Sequence, residues 1–404
     1  MGCSSSKGDQ GAGDGAEGSQ AAGSPDRAKS FRDRRLSMSH LPVGNRRLSV
    51  YGSDGNIGGQ PSEVQSPMPS VGCKTMGGFE PVPGGSTAKI NQDRGVAIYP
   101  FTDLENCGMF GVYDGHGRAG EKVSEFVLQH LPAVLAAQGE ALWSDVGGTL
   151  KYAYVQVDSD LANEMDASVS GTTAVTCLIK DNHCWLANSG DSRAIVMRKS
   201  ANGLKAVDLT SDHKPDSPGE MKRILSMGGH ITPVRCRPLP CRRCLAAARP
   251  RATVPLRALP LPLPLPRRPL LLTWMALCAR SSMAQAGANG SPARVWHNLR
   301  GLAMARSIGD HAAATVGVIS EPEITEYDIV EDDFAIIIAT DGVWELLSSQ
   351  QVADICHGVK SGDVQEMTEV VAEQASYMWK VEEGDYRDDI TLIIIKLPWL
   401  GSAE

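Results

Sequence analysis

The chain has 404 residues, 42% of them hydrophobic and 21% charged, with a formal net charge of −8. That composition excludes collagen-like and wholly disordered classes, and no apolar run reaches the roughly 18 residues that a membrane-crossing helix needs. No secretory signal pattern opens the chain, so its ten cysteines are expected as reduced thiols and not as a disulfide framework.

The charge is unevenly spread. Residues 1–75 sum to +2, residues 235–294 carry eleven arginines with no lysine or acid, and the remainder carries −21. An acidic body argues against nucleic acid as a partner, because phosphate backbones need Lys/Arg surfaces. Residues 1–75 are rich in Gly, Ser, Gln and Asp, bury too little apolar surface to offset ordering entropy, and read as a disordered tail. Its start, Met1-Gly2-Cys3-Ser4-Ser5-Ser6, fits N-myristoylation at Gly2 with Cys3 as an adjacent palmitoylation site. Two acyl chains anchor stably where one binds marginally. The expected location is therefore the cytoplasmic face of a membrane, alongside a soluble cytoplasmic pool. Arg34-Arg35-Leu36-Ser37 and Arg46-Arg47-Leu48-Ser49 form a near repeat suited to a basophilic kinase, which makes Ser37 and Ser49 candidate phosphorylation sites.

From about residue 86 the pattern becomes that of an ordered domain running to 398. Residues 108–113 read as a short buried strand. Residues 119–137 read as a helix whose apolar stripe includes Val123, Phe126, Val127, Leu131 and Val134, with His130 as a core histidine. Two strands are expected at 172–179 and 183–198, joined at Lys180-Asp181-Asn182. A helix is expected over 218–227, started by Pro218 and stopped by Gly228-Gly229. Residues 333–340 read as an apolar strand entering a helix after Asp341-Gly342, residues 363–380 as a helix, and 389–397 as a last apolar strand. Residues 235–293 interrupt this pattern with a basic Pro/Arg-rich insert, expected to hold little regular structure.

Aspartates recur at the ends of these strands: Asp93, Asp114, Asp191, Asp341 and the pair Asp388-Asp389, three of the sites beside glycine. A single Asp-Gly is ordinarily a turn, but five such sites in one domain suggest convergence at one edge of a β core. Gathered carboxylates repel unless a cation neutralises them, and an all-oxygen set suits Mg²⁺ or Mn²⁺ better than zinc. Two such ions can activate a water and clamp a phosphoryl group, with His116, beside Asp114, placed to protonate a leaving oxygen.

These residues lie in an ordered series of motifs. They are Asn91-Gln92-Asp93-Arg94; Phe110-Gly111-Val112-Tyr113-Asp114-Gly115-His116-Gly117; Ser170-Gly171-Thr172-Thr173-Ala174; and Ala187-Asn188-Ser189-Gly190-Asp191-Ser192-Arg193-Ala194. The series continues with Asp212-His213-Lys214-Pro215, Ala305-Arg306-Ser307-Ile308-Gly309-Asp310, Ala339-Thr340-Asp341-Gly342-Val343-Trp344 and Asp388-Asp389-Ile390-Thr391. With this series the chain resembles the metal-dependent type 2C Ser/Thr protein phosphatases, the PPM family, over about 86–398 apart from the insert. The resemblance implies an α+β fold, two mainly antiparallel β-sheets in a sandwich flanked by helices. It implies hydrolysis of phosphoserine and phosphothreonine in phosphoproteins by a water activated at a dinuclear Mg²⁺ or Mn²⁺ centre. Carried over by motif, Asp93, Asp114, the Gly115 carbonyl, Asp341 and Asp388 would be the metal shell, Asp191 with Asp341 a weaker third-ion site, and His116 the general acid. His213 would be structural support.

Departures from the family pattern qualify this. Gln92 stands where the family often has Glu, and Glu345 where it often has Asp. Lys89 is the nearest base to the position of a phosphate-gripping arginine, and would act as a point charge without bidentate geometry. The alternative expectation is a membrane-tethered pseudophosphatase that binds phosphoproteins as a scaffold. A monomer is expected in either case.

Overall fold

The computed structural model describes residues 47–51, 69–102, 104, 106–233 and 292–398. Two antiparallel sheets dominate it. The first runs in the order Arg47–Tyr51, Asp93–Ile98, Cys107–Gly117, Ala174–Lys180, His183–Ser189 and Glu323–Asp328, with the short strands Ser170–Thr172 and Ile308–Gly309 added beside the end of Cys107–Gly117. The second runs Gly203–Asp208, Arg193–Ser200, Asp333–Ala339, Ile390–Lys396 and Val71–Met76.

Side-chain alternation explains why the sheets stack. Phe110 and Val112 of the first sheet share one buried cluster with Val196, Ile336, Ile338, Ile393 and Ile395 of the second. Met109 and Tyr113, pointing the other way, pack on the helices Gly120–Ala136 and Val146–Glu164. Ile337, Leu392 and Ile394 pack on the helices Ser349–Gly358 and Val364–Glu382. The layers are therefore α-β-β-α, and the α+β expectation holds. Strands buried on both faces also explain the unbroken apolar runs at 334–339 and 392–395.

Three expectations need correction. The strand foreseen at 183–198 is two strands in different sheets: the chain leaves the first at Ser189 and enters the second at Arg193. Gly190 makes the crossing at φ 122°, where an added Cβ would sit 2.6 Å from the Thr173 Cβ. The helix Val146–Glu164 was not foreseen, because glycines 147 and 148 occupy its first turn; Asp145 Oδ1 caps it by accepting from the Gly148 N–H at 2.8 Å. Order also begins earlier than the tail expectation: Val71–Met76 pairs with Ile390–Lys396 and buries Val71 and Cys73, and Arg47–Tyr51 pairs with Asp93–Ile98. Average composition hides a strand as short as Val71–Met76, whose burial depends on a partner some 300 residues away. Ser49 lies within Arg47–Tyr51, while Gly2, Cys3 and Ser37 lie outside the described residues.

A three-stranded flap, His230–Pro233, Ala293–His297 and Arg300–Leu302, follows the helix Pro218–Ser226. Ala293, expected inside the insert, opens the flap's middle strand because it pairs with Pro233. Apart from Pro292 and Ala293, the insert lies outside the described residues. The residues that flank the rest, Pro233 and Ala293, are directly opposed cross-strand partners within the flap and belong to neither main sheet. Replacing residues 234–292 with a short turn is accordingly expected to preserve cooperative thermal unfolding and to leave hydrolytic activity unchanged or higher. A complete loss of both would show the segment to be integral.

Candidate active site

The strand ends bring the aspartates together. Asp93 opens its strand in register with Asp114 on the neighbouring one. Asp114 is held by the Thr173 hydroxyl, which meets its backbone N–H at 3.2 Å, and its carbonyl accepts from the Thr173 N–H at 2.9 Å. Asp341 follows the Asp333–Ala339 strand after Thr340, at the start of the short helix Asp341–Trp344. Thr340 donates its hydroxyl to Asp93 Oδ2 at 2.9 Å, which ties that turn to the first sheet. At Gly342 an added Cβ would lie 1.8 Å from the Asp389 carbonyl oxygen, so only glycine lets the Asp341 turn approach the Asp388-Asp389 segment. Asp191 sits where the chain crosses between sheets.

The electrostatics follow from this crowding. Burial first, then Asp389, pushes the Asp93 carboxyl up to about 7. Burial, then Asp93, Asp341, Asp388 and Asp191, raises Asp114 well above the carboxylate range. Burial, then Asp388 and Asp191, does the same to Asp341. Lysines offset part of the repulsion. Lys214 Nζ lies 2.6 Å from Asp191 Oδ2, and although burial opposes it, this pairing holds the Asp191 carboxyl below its usual value.

Lys89 Nζ lies 2.5 Å from Asp388 Oδ1 and 3.5 Å from Asp389 Oδ2. The structure thus places the candidate phosphate-gripping base on carboxylates. Asp389 itself is structural: its oxygens accept from the Gly78 N–H at 2.6 Å and the Gln92 N–H at 2.9 Å.

Among the described residues, no three acidic, histidine or cysteine side chains close on a single ready-made ion position. The donor set nevertheless fits hard divalent cations. Its members are all oxygen, they repel one another, and the buried Asp93 Oδ1 and Asp191 Oδ1 have no hydrogen-bond partner. Cations would satisfy both deficits at once. Gln92 does not face this set: its amide donates to the Gly117 carbonyl at 3.0 Å and to Glu121 Oε2 at 3.1 Å. Glu345 is exposed.

His116 faces the same site from the end of Cys107–Gly117. Its Nε2 lies 2.5 Å from Asp310 Oδ2, which also accepts from the Ser307 hydroxyl at 2.8 Å. Asp310 holds a left-handed backbone at φ 48° directly after Gly309. Gly171 leaves room for the pair, since a Cβ there would lie 2.3 Å from Asp310 Oδ2 and 2.8 Å from His116 Nε2. Burial pulls the imidazole pKa down, but the Asp310 charge and hydrogen bond outweigh it and raise it.

His213 is buried and supports the site from behind, its Nδ1 accepting from the Gly190 N–H at 3.2 Å at the inter-sheet crossing. Asp310 and Lys214 were absent from the candidate residues. Both stand inside motifs already noted, but only contact with His116 and Asp191 reveals their roles. A cleft of about 320 Å³ opens beside His116 and Asp310, with the flap as its far wall.

A family model described as protein phosphatase 2C matches residues 88–247 and 283–381. The Arabidopsis thaliana protein named probable protein phosphatase 2C 72 is 31% identical over 334 residues, covering 77% of this chain and 82% of the relative. Another from the same plant, probable protein phosphatase 2C 35, is 29% identical and covers 78% of this chain and 81% of its own. The crystal structure of a serine-threonine phosphatase 2C from Toxoplasma gondii aligns with a TM-score of 0.57 over 81% of this chain and 99% of its own; at 16% identity it supports the fold alone.

Proposed function

Because the chain belongs to the protein phosphatase 2C family, the metal-dependent protein serine/threonine phosphatases, we propose that its carboxylate pocket hydrolyses phosphoserine and phosphothreonine with two Mg²⁺ or Mn²⁺ ions. The observation that carries this reading is the crowding of Asp93, Asp114 and Asp341, each raised by burial and neighbouring acids, around oxygens left without partners. Asp93, Asp114, the Gly115 carbonyl, Asp341 and Asp388 would hold the two ions, and Asp191 with Asp341 a weaker third. When bound, the ions supply Lewis-acid chemistry, polarising phosphoryl oxygens and easing ionisation of water.

The protein's own part is positional and acid–base. Asp310 orients the His116 ring through Nε2 and favours its protonated form, so a proton is available for the departing serine or threonine oxygen. The Thr340 and Thr173 hydroxyls fix Asp93 and the Asp114 backbone. Lys214 and Lys89 neutralise Asp191 and Asp388 until cations or substrate phosphate compete for those charges. No observation favours the scaffold alternative, since every inferred ligand and His116 are present in the chain.

The reading is tested with p-nitrophenyl phosphate and a phosphothreonine peptide in the presence of Mn²⁺. Turnover that EDTA abolishes and Mn²⁺ restores supports it; binding of the phosphopeptide without any turnover would leave a scaffold instead.

The N-terminal pattern carries a separate part of the proposal: acylation at Gly2 and Cys3 holds the protein on the cytoplasmic face of a membrane, and phosphorylation at Ser37 and Ser49 weakens that hold. What supports it is the sequence Met1-Gly2-Cys3-Ser4-Ser5-Ser6 and the paired Arg-Arg-Leu-Ser repeats. Among the described residues no helix is long and apolar enough to cross a membrane. Gly2→Ala is expected to move the protein from the membrane to the soluble fraction on cell fractionation. Retention on the membrane would mean that acylation is not the anchor.

A further inference from the structure

The flap presents one face to the body of the protein. In its hairpin, Val295 opposes Leu302 and His297 opposes Arg300, and residues two apart share a face. Val295 is buried with Ile224, Ala305 and Val318, and Leu302 packs against that cluster, so this face is turned inward. Asn298, at φ 56°, turns the chain, and the distal end of the same face, His297 with Arg300, reaches beyond the apolar contact. Both line the cleft of about 320 Å³ whose opposite wall contains His116, Gly117 and Asp310.

The charge in this cleft is one-sided. Asp310 is the sole acid among its lining residues and is already engaged by His116 and Ser307. Arg294 also lines it, with one guanidinium nitrogen donating to the Gly301 carbonyl at 3.0 Å, while Arg300 is exposed. Outside residues 1–75 and 235–293, the chain carries −20. An acidic peptide would be repelled over most of such a body, so a positively lined cleft beside the proton donor is where its approach would be favourable.

We infer that this cleft is a specificity subsite, in which Arg300 and His297 receive an anionic side chain flanking the phosphorylated residue of the substrate. The inference rests on the phosphatase reading above. A flanking carboxylate and a second phosphate offer the same chemistry, charged oxygens that accept from a guanidinium and an imidazole.

The test uses the full chain with Mn²⁺ and phosphothreonine peptides identical except at the flank, which carries alanine, glutamate, phosphoserine or lysine. At low ionic strength kcat/KM is expected to favour the anionic flanks over alanine by about five- to tenfold, and raised salt should compress the ratio. The larger ratio assigns the natural anion as carboxylate or phosphate.

Arg300→Gln should bring the ratio toward one, and Arg300→Lys should keep much of it. Arg300→Glu should turn the preference toward the lysine flank, a reversal that simple misfolding cannot produce. An enzyme that hydrolyses p-nitrophenyl phosphate and all the peptides with equal kcat/KM overturns the subsite and leaves the phosphatase reading standing. A preference that the Arg300 variants do not change overturns it as well. Absence of turnover on every substrate removes both.

Discussion

Asp114→Asn is expected to lower Mn²⁺-dependent hydrolysis of p-nitrophenyl phosphate by about 10³-fold, the scale associated with losing a charge-stabilising group at a reaction centre. Asp114 has this leverage because it is the carboxylate most entangled with the rest: Asp93, Asp341, Asp388 and Asp191 all raise its pKa, after burial. An amide keeps the shape and removes the charge. Cation binding should therefore weaken, which titration calorimetry with Mn²⁺ reads independently of turnover.

Stability should move the other way. In chelator-treated protein the lysines offset only part of the repulsion, and burial and neighbouring acids oppose ionisation of Asp114, so replacing its carboxyl with an amide is expected to raise Tm while activity falls. A variant that loses both activity and Tm would indicate damage to the fold instead.

The same crowding sets a pH dependence. The Asp93 carboxyl is raised from 3.8 to about 7, by burial first and Asp389 second, so the folded protein retains a proton that the unfolded chain releases. Its contribution to metal-free stability is fully present below about pH 4 and is lost as pH rises through about 7. Tm of chelator-treated protein should fall across that window, and Mn²⁺ should restore it most strongly at the alkaline end. A Tm independent of pH, with or without Mn²⁺, would contradict the crowded arrangement.

The second large effect is expected at His116. His116→Ala should reduce kcat by roughly 10²- to 10⁴-fold with little change in KM, the range for a positioned general acid. Asp310→Asn should cost less and act differently. Asp310 raises the imidazole pKa against the downward pull of burial. Its neutralisation should lower that pKa, so the alkaline limb of the kcat profile should move to lower pH. An unchanged profile would mean that Asp310 does not act through His116. Substrates whose leaving group needs no proton should be less sensitive to both variants, which separates proton donation from a general loss of structure.

Much of the architecture is visible along the chain because the central strands are buried on two faces. The runs at 108–113 and 333–340, and the stripe on 119–137, could not satisfy their apolar side chains except inside layers. Where an element's fate depended on a distant partner, the linear pattern failed. The 183–198 segment is uniformly strand-like, yet it crosses between sheets at Gly190 because Thr173 closes the space a side chain would need there. Val71–Met76 reads as tail until Ile390–Lys396 pairs with it. The helix Val146–Glu164 begins on two glycines, and its start is fixed by the Asp145 cap.

The candidate site divides in the same way. Recurrent aspartates at strand ends announced hard-cation chemistry, because carboxylates so placed are costly without a counter-charge. The chain alone implied the fold class through its resemblance to a family, and its residue types and local spacing pointed to hard-cation chemistry with His116 as the proposed proton donor. Only the tertiary structure decided which charges answer which: Lys214 on Asp191, Lys89 on Asp388, Asp310 behind His116, and Arg300 across the cleft from it. Those pairings join residues from 23 to 299 positions apart, and electrostatic attraction is set by distance in space, which the order of residues along the chain does not record.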